Sequence, residues 1–447
     1  MNLVAFSIRT KGAHNFARRL WTVFARFGFS DARSRRELLA ILASVRHYGG
    51  NPTFFIPAVV LQRHPELISE IASCGAEIGI HGYVHNDYRS LSDSGQHQQT
   101  QQAMAVFRAV NVPYQGFRNP YLGWTEDAVR SFAALDFSYD SNEAIAHDVV
   151  DLSRLSPTLR SGFEKSLELF QAIAPSAYTL RPHCEGALVR IPTSIPDDEM
   201  LYDRLRITDQ RKLGALWCDV LRRVYALGGI YTLNLHPERG VLCKTALNHL
   251  LAESQQQPLP VWLASLREVD AWWRERKAFT LAIEPAGEGR WRVAAGCTPR
   301  ATLLARHLTL DEDAPTSAWY APDVVVTARQ FTAQADRCPC IALSSETPGE
   351  VEDFLHEQGY PTQRVEASEA RRYAMYVDKP EGLGKTRPQQ VESRSALVAQ
   401  IEALEAPLVR FGVWPDHARS ALAVTGDIDS ITVQDFFLRI LEARQYA

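Results

Sequence analysis

The sequence predicts an α/β fold in which parallel strands alternate with helices. Up to about residue 275, short runs rich in β-branched and aromatic residues are separated by helix-length stretches whose apolar residues recur every three or four positions. Such alternation is typical of a β/α barrel or of an open doubly wound sheet. The hydrophobic content of 46% and the aromatic content of 10% are sufficient for a large core.

The individual elements follow from this pattern and from the signals at their ends. Residues 34–47 are followed by two glycines, and residues 65–74 begin on proline and end before Gly75. Thr125 is placed to cap the helix that follows it. Two further helices are predicted at 209–227 and 261–277. The predicted strands are 3–8, 52–57, 76–80, 115–117, 137–139, 187–192 and 230–235.

The pattern changes after about residue 277. Residues 279–298 are typical of a hairpin with a glycine-rich turn, and residues 378–395 are polar and rich in helix breakers. Residues 420–429 then predict one more strand, followed by a helix at 432–443. We therefore predict a barrel at 1–277, an α+β accessory region at 278–377, a linker at 378–400 and a strand–helix unit at 401–447.

Charge and cysteine usage limit the classes of partner. The formal net charge of -4 gives no electrostatic reason to expect nucleic acid as a partner. No run approaches the ~18 apolar residues of a membrane span. The apolar N-terminal stretch precedes its basic cluster and lacks a small-residue cleavage site, so a cytoplasmic protein is predicted. The seven cysteines are odd in number and scattered, which favours reduced thiols.

Three histidines lie where reactive groups are expected in a β/α barrel. His81 directly follows the strand predicted at 76–80, and His236 directly follows the strand predicted at 230–235. In such barrels the reactive side chains are at the carboxyl ends of strands. His85 is four residues after His81, and two neutral imidazoles at one strand end can supply half of a metal site.

Three segments resemble motifs of the polysaccharide deacetylase family and stand in the family's order. They are residues 80–85 (IHGYVH), 116–121 (GFRNPY) and 233–236 (LNLH). Members of this family remove N-acetyl groups from chitin oligosaccharides, peptidoglycan and related glycans on a distorted (β/α)7 barrel. The resemblance covers roughly residues 30–275, and it implies the same barrel and the same hydrolase activity. The smaller α+β region predicted at 278–377 is added to this barrel.

One motif of the family is absent from its expected place. Family members begin with a strand that ends in two aspartates, but residues 1–80 contain a single aspartate, Asp31, which resembles a helix cap. Residues 421–429 (ALAVTGDID) resemble that missing strand at the far end of the chain. We therefore predict a circular permutation in which the C-terminal strand pairs beside residues 53–56. Asp427 and Asp429 are two positions apart, so they share one face of a strand.

The resemblance also implies roles for these residues. Asp429, His81 and His85 would hold Zn²⁺, or another divalent metal such as Co²⁺, Ni²⁺ or Mn²⁺. Asp427 would be the general base and His236 the general acid. Other expected contributors are Arg118 as the partner of Asp427, the backbone amide of Tyr121 at the oxyanion, and Asp198, or less directly Asp140, as the partner of His236.

Each of these residues also has a purely structural interpretation. The histidines could be polar groups in turns, and Asp427 and Asp429 could cap the helix predicted at 432. At the level of function, one alternative is a catalytically inactive sugar-binding barrel acting in surface polysaccharide assembly. A glycosyltransferase using Asp427 and Asp429 is disfavoured because no glycine-rich phosphate loop follows an early strand. The predicted partner is a glycan or a lipid-linked saccharide, and the sequence does not indicate an oligomeric state.

Overall fold

A computed structural model of the protein describes residues 23–311 and 314–445. The strand predicted at 3–8 lies outside these residues. The first ten strands are β1 (Thr53–Ile56), β2 (Glu77–Ile80), β3 (Gly116–Phe117), β4 (Tyr139–Asp140), β5 (Ala144–Ala146), β6 (His183–Glu185), β7 (Leu188–Arg190), β8 (Thr193–Ile195), β9 (Ile230–Leu235) and β10 (Val261–Leu263). The others are β11 (Thr280–Gly287), β12 (Arg290–Gly296), β13 (Leu303–Arg306), β14 (Thr309–Leu310), β15 (Thr316–Ala318), β16 (Val324–Val326), β17 (Gln330–Gln334), β18 (Cys338–Ser344), β19 (Thr362–Val365), β20 (Tyr373–Val377), β21 (Leu408–Phe411) and β22 (Ser420–Asp427).

Helices follow most strands of the first half, as the sequence pattern predicts. The α-helices described from end to end are α1 (Ala32–His47), α2 (Ala58–Arg63), α3 (Pro65–Ser73), α4 (Asp93–Ala109), α5 (Glu126–Ala134), α6 (Pro157–Leu169), α7 (Gln210–Leu227), α8 (Gly240–Ser254), α9 (Leu266–Arg276), α10 (Gly349–Glu357), α11 (Arg387–Glu402) and α12 (Val433–Gln445). No helix within the described ranges is long and apolar enough to cross a membrane.

The parallel strands of the first half form a ring together with the C-terminal strand β22. The pairings run from β9 to β22, then to β1, β2, β3 and β4, and β4 pairs with β7. Strands β4 and β5 are nearly continuous, as are β7 and β8, and β8 pairs with both β5 and β9. The pairings therefore return to β9, and the described chain forms a distorted (β/α)7 barrel, as the resemblance predicted.

The C-terminal strand occupies a central place in this ring. Thr53, Phe54 and Phe55 of β1 pair in parallel with residues 425–427 of β22, and the other edge of β22 pairs with β9. The predicted pairing of the C-terminal strand beside residues 53–56 is thus confirmed. Every residue of β22 is buried, which is expected of a strand enclosed on both faces of a parallel sheet.

Helix α7 illustrates how local sequence positions a barrel helix. Leu213, Trp217, Leu221 and Val224 recur at three-to-four spacing and are buried. The helix ends where Gly228 adopts a left-handed φ of 67°, a conformation that glycine adopts at low cost. Its buried face belongs to the large apolar cluster that separates the strands from the surrounding helices.

The accessory region is built on three smaller sheets, ordered β11-β12-β17-β14, β15-β16-β13-β21 and β19-β18-β20. Strand β21 belongs to the C-terminal unit that begins at 401, and it pairs with β13 of the accessory region. The C-terminal unit therefore joins the accessory region first and enters the barrel only at β22. The returning segment is fastened to the barrel, since Trp272 Nε1 donates to the Val413 carbonyl (2.9 Å) and Trp414 Nε1 donates to the Gly228 carbonyl (3.0 Å).

The segment predicted as a linker at 378–400 contains a helix in its second half. Helix α11 begins at Arg387, with Thr386 and Gln389 forming a reciprocal capping box. Pro388 lies in the first turn, where a helix tolerates proline because that position lacks an intrahelical partner for its N–H. The composition of this segment therefore suggested that its proline breaks a helix, whereas in the structure the proline lies in the first turn of one.

Candidate metal and catalytic site

The residues singled out in the sequence meet at one rim of the barrel. His81 follows β2, Arg118 follows β3, His236 follows β9, and Asp427 is the last residue of β22. Because the strands are parallel, their carboxyl ends lie at the same rim. Residues separated by more than 300 positions along the chain therefore face a common space.

His81, His85 and Asp429 form a compact cluster at this rim. One ligand atom from each lies within 4.8 Å of the others. Oδ1 of Asp429 is 3.2 Å from Nε2 of His85 and 3.6 Å from Nε2 of His81. All three residues are buried, with at most 9% of their surface exposed. The predicted ligand set is thus brought together.

This cluster has the properties that a zinc-type site requires. Ligand atoms bonded at about 2.1 Å in a tetrahedral arrangement lie about 3.4 Å apart, close to the two separations measured from Asp429. Oδ1 of Asp429 is buried and has no hydrogen-bond partner within residues 23–311 and 314–445, which is costly unless a cation satisfies it. The donor set of two imidazoles and one carboxylate fits Zn²⁺ and similar divalent ions.

His81 is also held in the tautomer that a metal needs. Its Nδ1–H donates to the Arg118 carbonyl at 2.8 Å, so the lone pair of Nε2 faces the cluster. Burial lowers the pKa of His81 to about 4, so its imidazole is neutral at pH 7. The main-chain carbonyl of Arg118 therefore orients a candidate ligand, a contact that the motif alone did not indicate.

Asp427 lies in a separate hydrogen-bond network behind the cluster. Its Oδ1 accepts from Arg118 Nη1 at 3.1 Å, and its Oδ2 accepts from Asn234 Nδ2 at 2.8 Å. Burial opposes ionisation of Asp427, but the charges of Arg118, His81 and His236 together outweigh it, and the pKa of this carboxyl is lowered. The predicted contact between Arg118 and Asp427 is present.

Arg118 is fully buried and is fixed by several acceptors. Its Nη1 also donates to Asn234 Oδ1 (2.8 Å) and Thr425 Oγ1 (2.9 Å), and its guanidinium lies 4.4 Å from the centre of the Phe55 ring. The Phe55 ring in turn has room because residue 79 is glycine, where a Cβ would lie 2.6 Å from the ring. Asn234 was missed in the sequence, although strand alternation places it on the same face as His236.

His236 is paired with Asp198, one of the two aspartates predicted as its partner. The Nδ1–H of His236 donates to Asp198 Oδ1 at 2.6 Å, and its backbone N–H donates to Asp198 Oδ2 at 2.8 Å. Burial lowers the pKa of His236, but the charge and the hydrogen bond of Asp198 together outweigh it, so the pKa lies well above the usual value. The alternative partner, Asp140, lies elsewhere, because it accepts from Arg190 and Asn142.

Tyr121 lies at the mouth of the site with a strained backbone. Its φ is +58°, in the left-handed region that non-glycine residues rarely adopt, and such conformations are concentrated at functional sites. The ring is 42% exposed and meets the His85 ring edge-on, with the centroids 4.8 Å apart. The predicted contribution of its backbone amide to catalysis remains a prediction.

Comparisons with known proteins agree with the motifs. No curated protein matches the sequence. Among solved structures, the chain is similar to a provisionally assigned polysaccharide deacetylase from Mycobacterium smegmatis, with 22% identity over 61% of this chain and 88% of that one (TM-score 0.43). It is also similar to Puue allantoinase (16% identity, 53% and 72% of the two chains, TM-score 0.41) and to BA3943, a CE4 family pseudoenzyme from Bacillus anthracis (18%, 40% and 58%, TM-score 0.25). Residues 31–139 match the family model for polysaccharide deacetylases, and this stretch contains the first two of the three motifs.

Proposed function

We propose that this protein is a metal-dependent hydrolase that removes N-acetyl groups from an N-acetylhexosamine-containing glycan or glycan precursor. The observation that carries the proposal is the meeting of two imidazoles and two carboxylates from opposite ends of the chain. Asp429 faces His81 and His85, while Asp427 faces the same rim from an independent network. One carboxylate is thus available as a ligand and the other as a base.

The chain's own residues supply the proton transfers of amide hydrolysis. A divalent cation held by Asp429, His81 and His85 supplies Lewis acidity, which polarises an amide carbonyl and lowers the pKa of a water molecule. Asp427 accepts a proton from the water as the water oxygen bonds to the acetyl carbon. His236 then gives its proton to the nitrogen as the carbon–nitrogen bond breaks, which yields acetate and a free amine.

The surroundings of Asp427 and His236 support these assignments. Arg118 and Asn234 favour the ionised form of Asp427, and a base must begin the reaction without its proton. Asp198 favours the protonated form of His236, and an acid must begin the reaction with its proton. Environments that separate the pKa values of two groups in this way are typical of acid–base pairs. We assign the oxyanion contact to the backbone amide of Tyr121.

We further propose that the chain is a circular permutation of the family's usual order. Strand β22 lies between β9 and β1, where a first strand bearing the acid pair would be expected. Helix α12 follows it, so the strand–helix alternation of a barrel is preserved across the chain ends.

The proposal is tested by measuring bound zinc and released acetate on the same purified protein. We expect about one equivalent of zinc, and acetate release from N-acetylhexosamine oligomers that a chelator abolishes. His85→Ala should lose both. Cys218→Ala is a suitable control, because Cys218, His249 and Glu253 form a second, more exposed group of potential ligands. Zinc binding without acetate release on a broad glycan panel would favour the inactive sugar-binding barrel.

A further inference from the structure

Arg439 on helix α12 contacts the carboxylate that we assign as a metal ligand. Its Nη1 donates to Oδ2 of Asp429 at 2.6 Å, whereas Oδ1 of the same carboxylate faces His81 and His85. The two oxygens of Asp429 therefore have different surroundings. One is held by a guanidinium, and the other is buried among imidazole nitrogens without a hydrogen-bond partner in the described part of the chain.

The position of Arg439 is fixed by its own helix. Its guanidinium lies 5.3 Å from the centre of the Phe436 ring, which packs 5.5 Å from the ring of Phe27. The start of α12 is anchored as well, since the N–H of Val433 donates to the Gly28 carbonyl at 2.9 Å. The arginine is thus held in place by packing rather than by its bond to Asp429 alone.

We propose that Arg439 is a positioning residue that limits Asp429 to binding the cation through one oxygen. A carboxylate can bind a cation with one oxygen or with both. A hydrogen bond that occupies Oδ2 leaves Oδ1 for the cation, and coordination positions stay open for water and the substrate carbonyl. This inference rests on the proposed metal site, and it adds a residue that none of the three motifs contains.

A purely structural role for Arg439 makes a different prediction. If the contact only ties α12 to the barrel, its loss lowers the unfolding temperature but leaves the coordination of the cation unchanged in the folded protein. If Arg439 positions the carboxylate, its loss lets Oδ2 approach the cation, and the coordination number rises. The visible absorption of bound Co²⁺ separates the two, because the bands are intense for four-coordinate and weak for six-coordinate cobalt.

The experiment compares Co²⁺-loaded wild type, Arg439→Ala and Arg439→Gln, with Arg444→Ala as the control. Arg444 is exposed on the same helix. We expect Arg439→Ala to show weaker visible bands and a kcat lower by about 10- to 100-fold at unchanged KM. Arg439→Gln keeps an N–H donor and should keep most of the wild-type spectrum. Arg444→Ala should match the wild type.

Two results would overturn the inference. The first is a folded Arg439→Ala protein with the wild-type cobalt spectrum, and the second is a wild type that binds no Co²⁺, which would also end the metal assignment. Failure of the proposed reaction is distinguishable from either. If the wild type binds Co²⁺ but releases no acetate, the spectra of the two Arg439 variants still decide the role of Arg439.

Discussion

At the scale of single residues, the positions at strand ends and the contacts implied by the motifs were predictable, whereas contacts made by residues outside the motifs were not. His81 and His236 could be identified because each follows an apolar run that predicts a strand, and His85 because it lies four residues after His81. The contact of Arg439 with Asp429 gave no such signal, because it depends on how α12 is inclined against β22. For the partner of His236 the sequence left two candidates, Asp198 and Asp140, because sequence spacing does not determine which loop approaches β9.

Substitution of Asp198 by asparagine tests the acid assigned to His236. The charge of Asp198 raises the pKa of His236, so its removal lets the imidazole lose its proton at lower pH. Because a general acid acts in its protonated form, the proposed role of His236 predicts that the alkaline limb of the pH profile of kcat moves to lower pH. At pH 7 we expect kcat to fall by about 100-fold. An unchanged alkaline limb in a folded Asp198→Asn protein would contradict the assignment.

At the scale of elements, capping decides where α12 begins and hence where Arg439 lies. Thr432 N–H and Oγ1 both donate to Asp435 Oδ2 (2.9 Å), and the Asp435 N–H donates to Thr432 Oγ1 (3.2 Å). This is a reciprocal cap. Asp435 Oδ1 also accepts from Arg63 Nε at 2.6 Å, which ties α12 to α2. The sequence predicted the helix, and capping by Asp427 or Asp429 was only the alternative to their roles at the metal site.

Substitution of Asp435 by asparagine tests this anchoring through its dependence on pH. Burial raises the pKa of Asp435, but hydrogen bonds from His64 and Thr432 outweigh it, so the pKa lies below its usual value. The stabilisation is therefore complete above the unfolded pKa of about 3.9 and is lost as the pH falls below it. We expect Asp435→Asn to lower the free energy of unfolding by about 2 kcal/mol at pH 6. Urea unfolding should show that this difference narrows towards pH 3.

At the scale of the whole molecule, the alternation of strands and helices predicted parallel strands, and the resemblance of the three motifs selected the barrel over an open sheet. The course of the chain between distant elements could not be predicted from the sequence. The detour of β21 into the accessory sheet beside β13 has no local signal, because antiparallel pairing over a hundred residues depends on the final packing. The helix α11 was missed for the opposite reason, since its proline and polar residues suggested a linker.

Moving the C-terminal unit tests whether its place in the barrel, rather than its place in the chain, is what matters. We expect a protein that lacks residues 420–447 to lose solubility, because a strand enclosed by β9 and β1 would be missing. The same residues joined by a flexible linker ahead of the N-terminus should restore a soluble protein that binds zinc. If the protein with the moved segment is soluble but binds no zinc, while the wild type does bind zinc, the result would contradict the proposed permutation.

The zinc content of Asp429→Ala is the most direct test of the account. Asp429 and the two histidines are far apart in the sequence, and only the insertion of β22 beside β1 brings them together. We predict that the purified variant, folded as judged by circular dichroism, retains less than about a tenth of the zinc that the wild type holds. A folded Asp429→Ala protein with the full wild-type zinc content would contradict the claim that the two ends of the chain share one metal site.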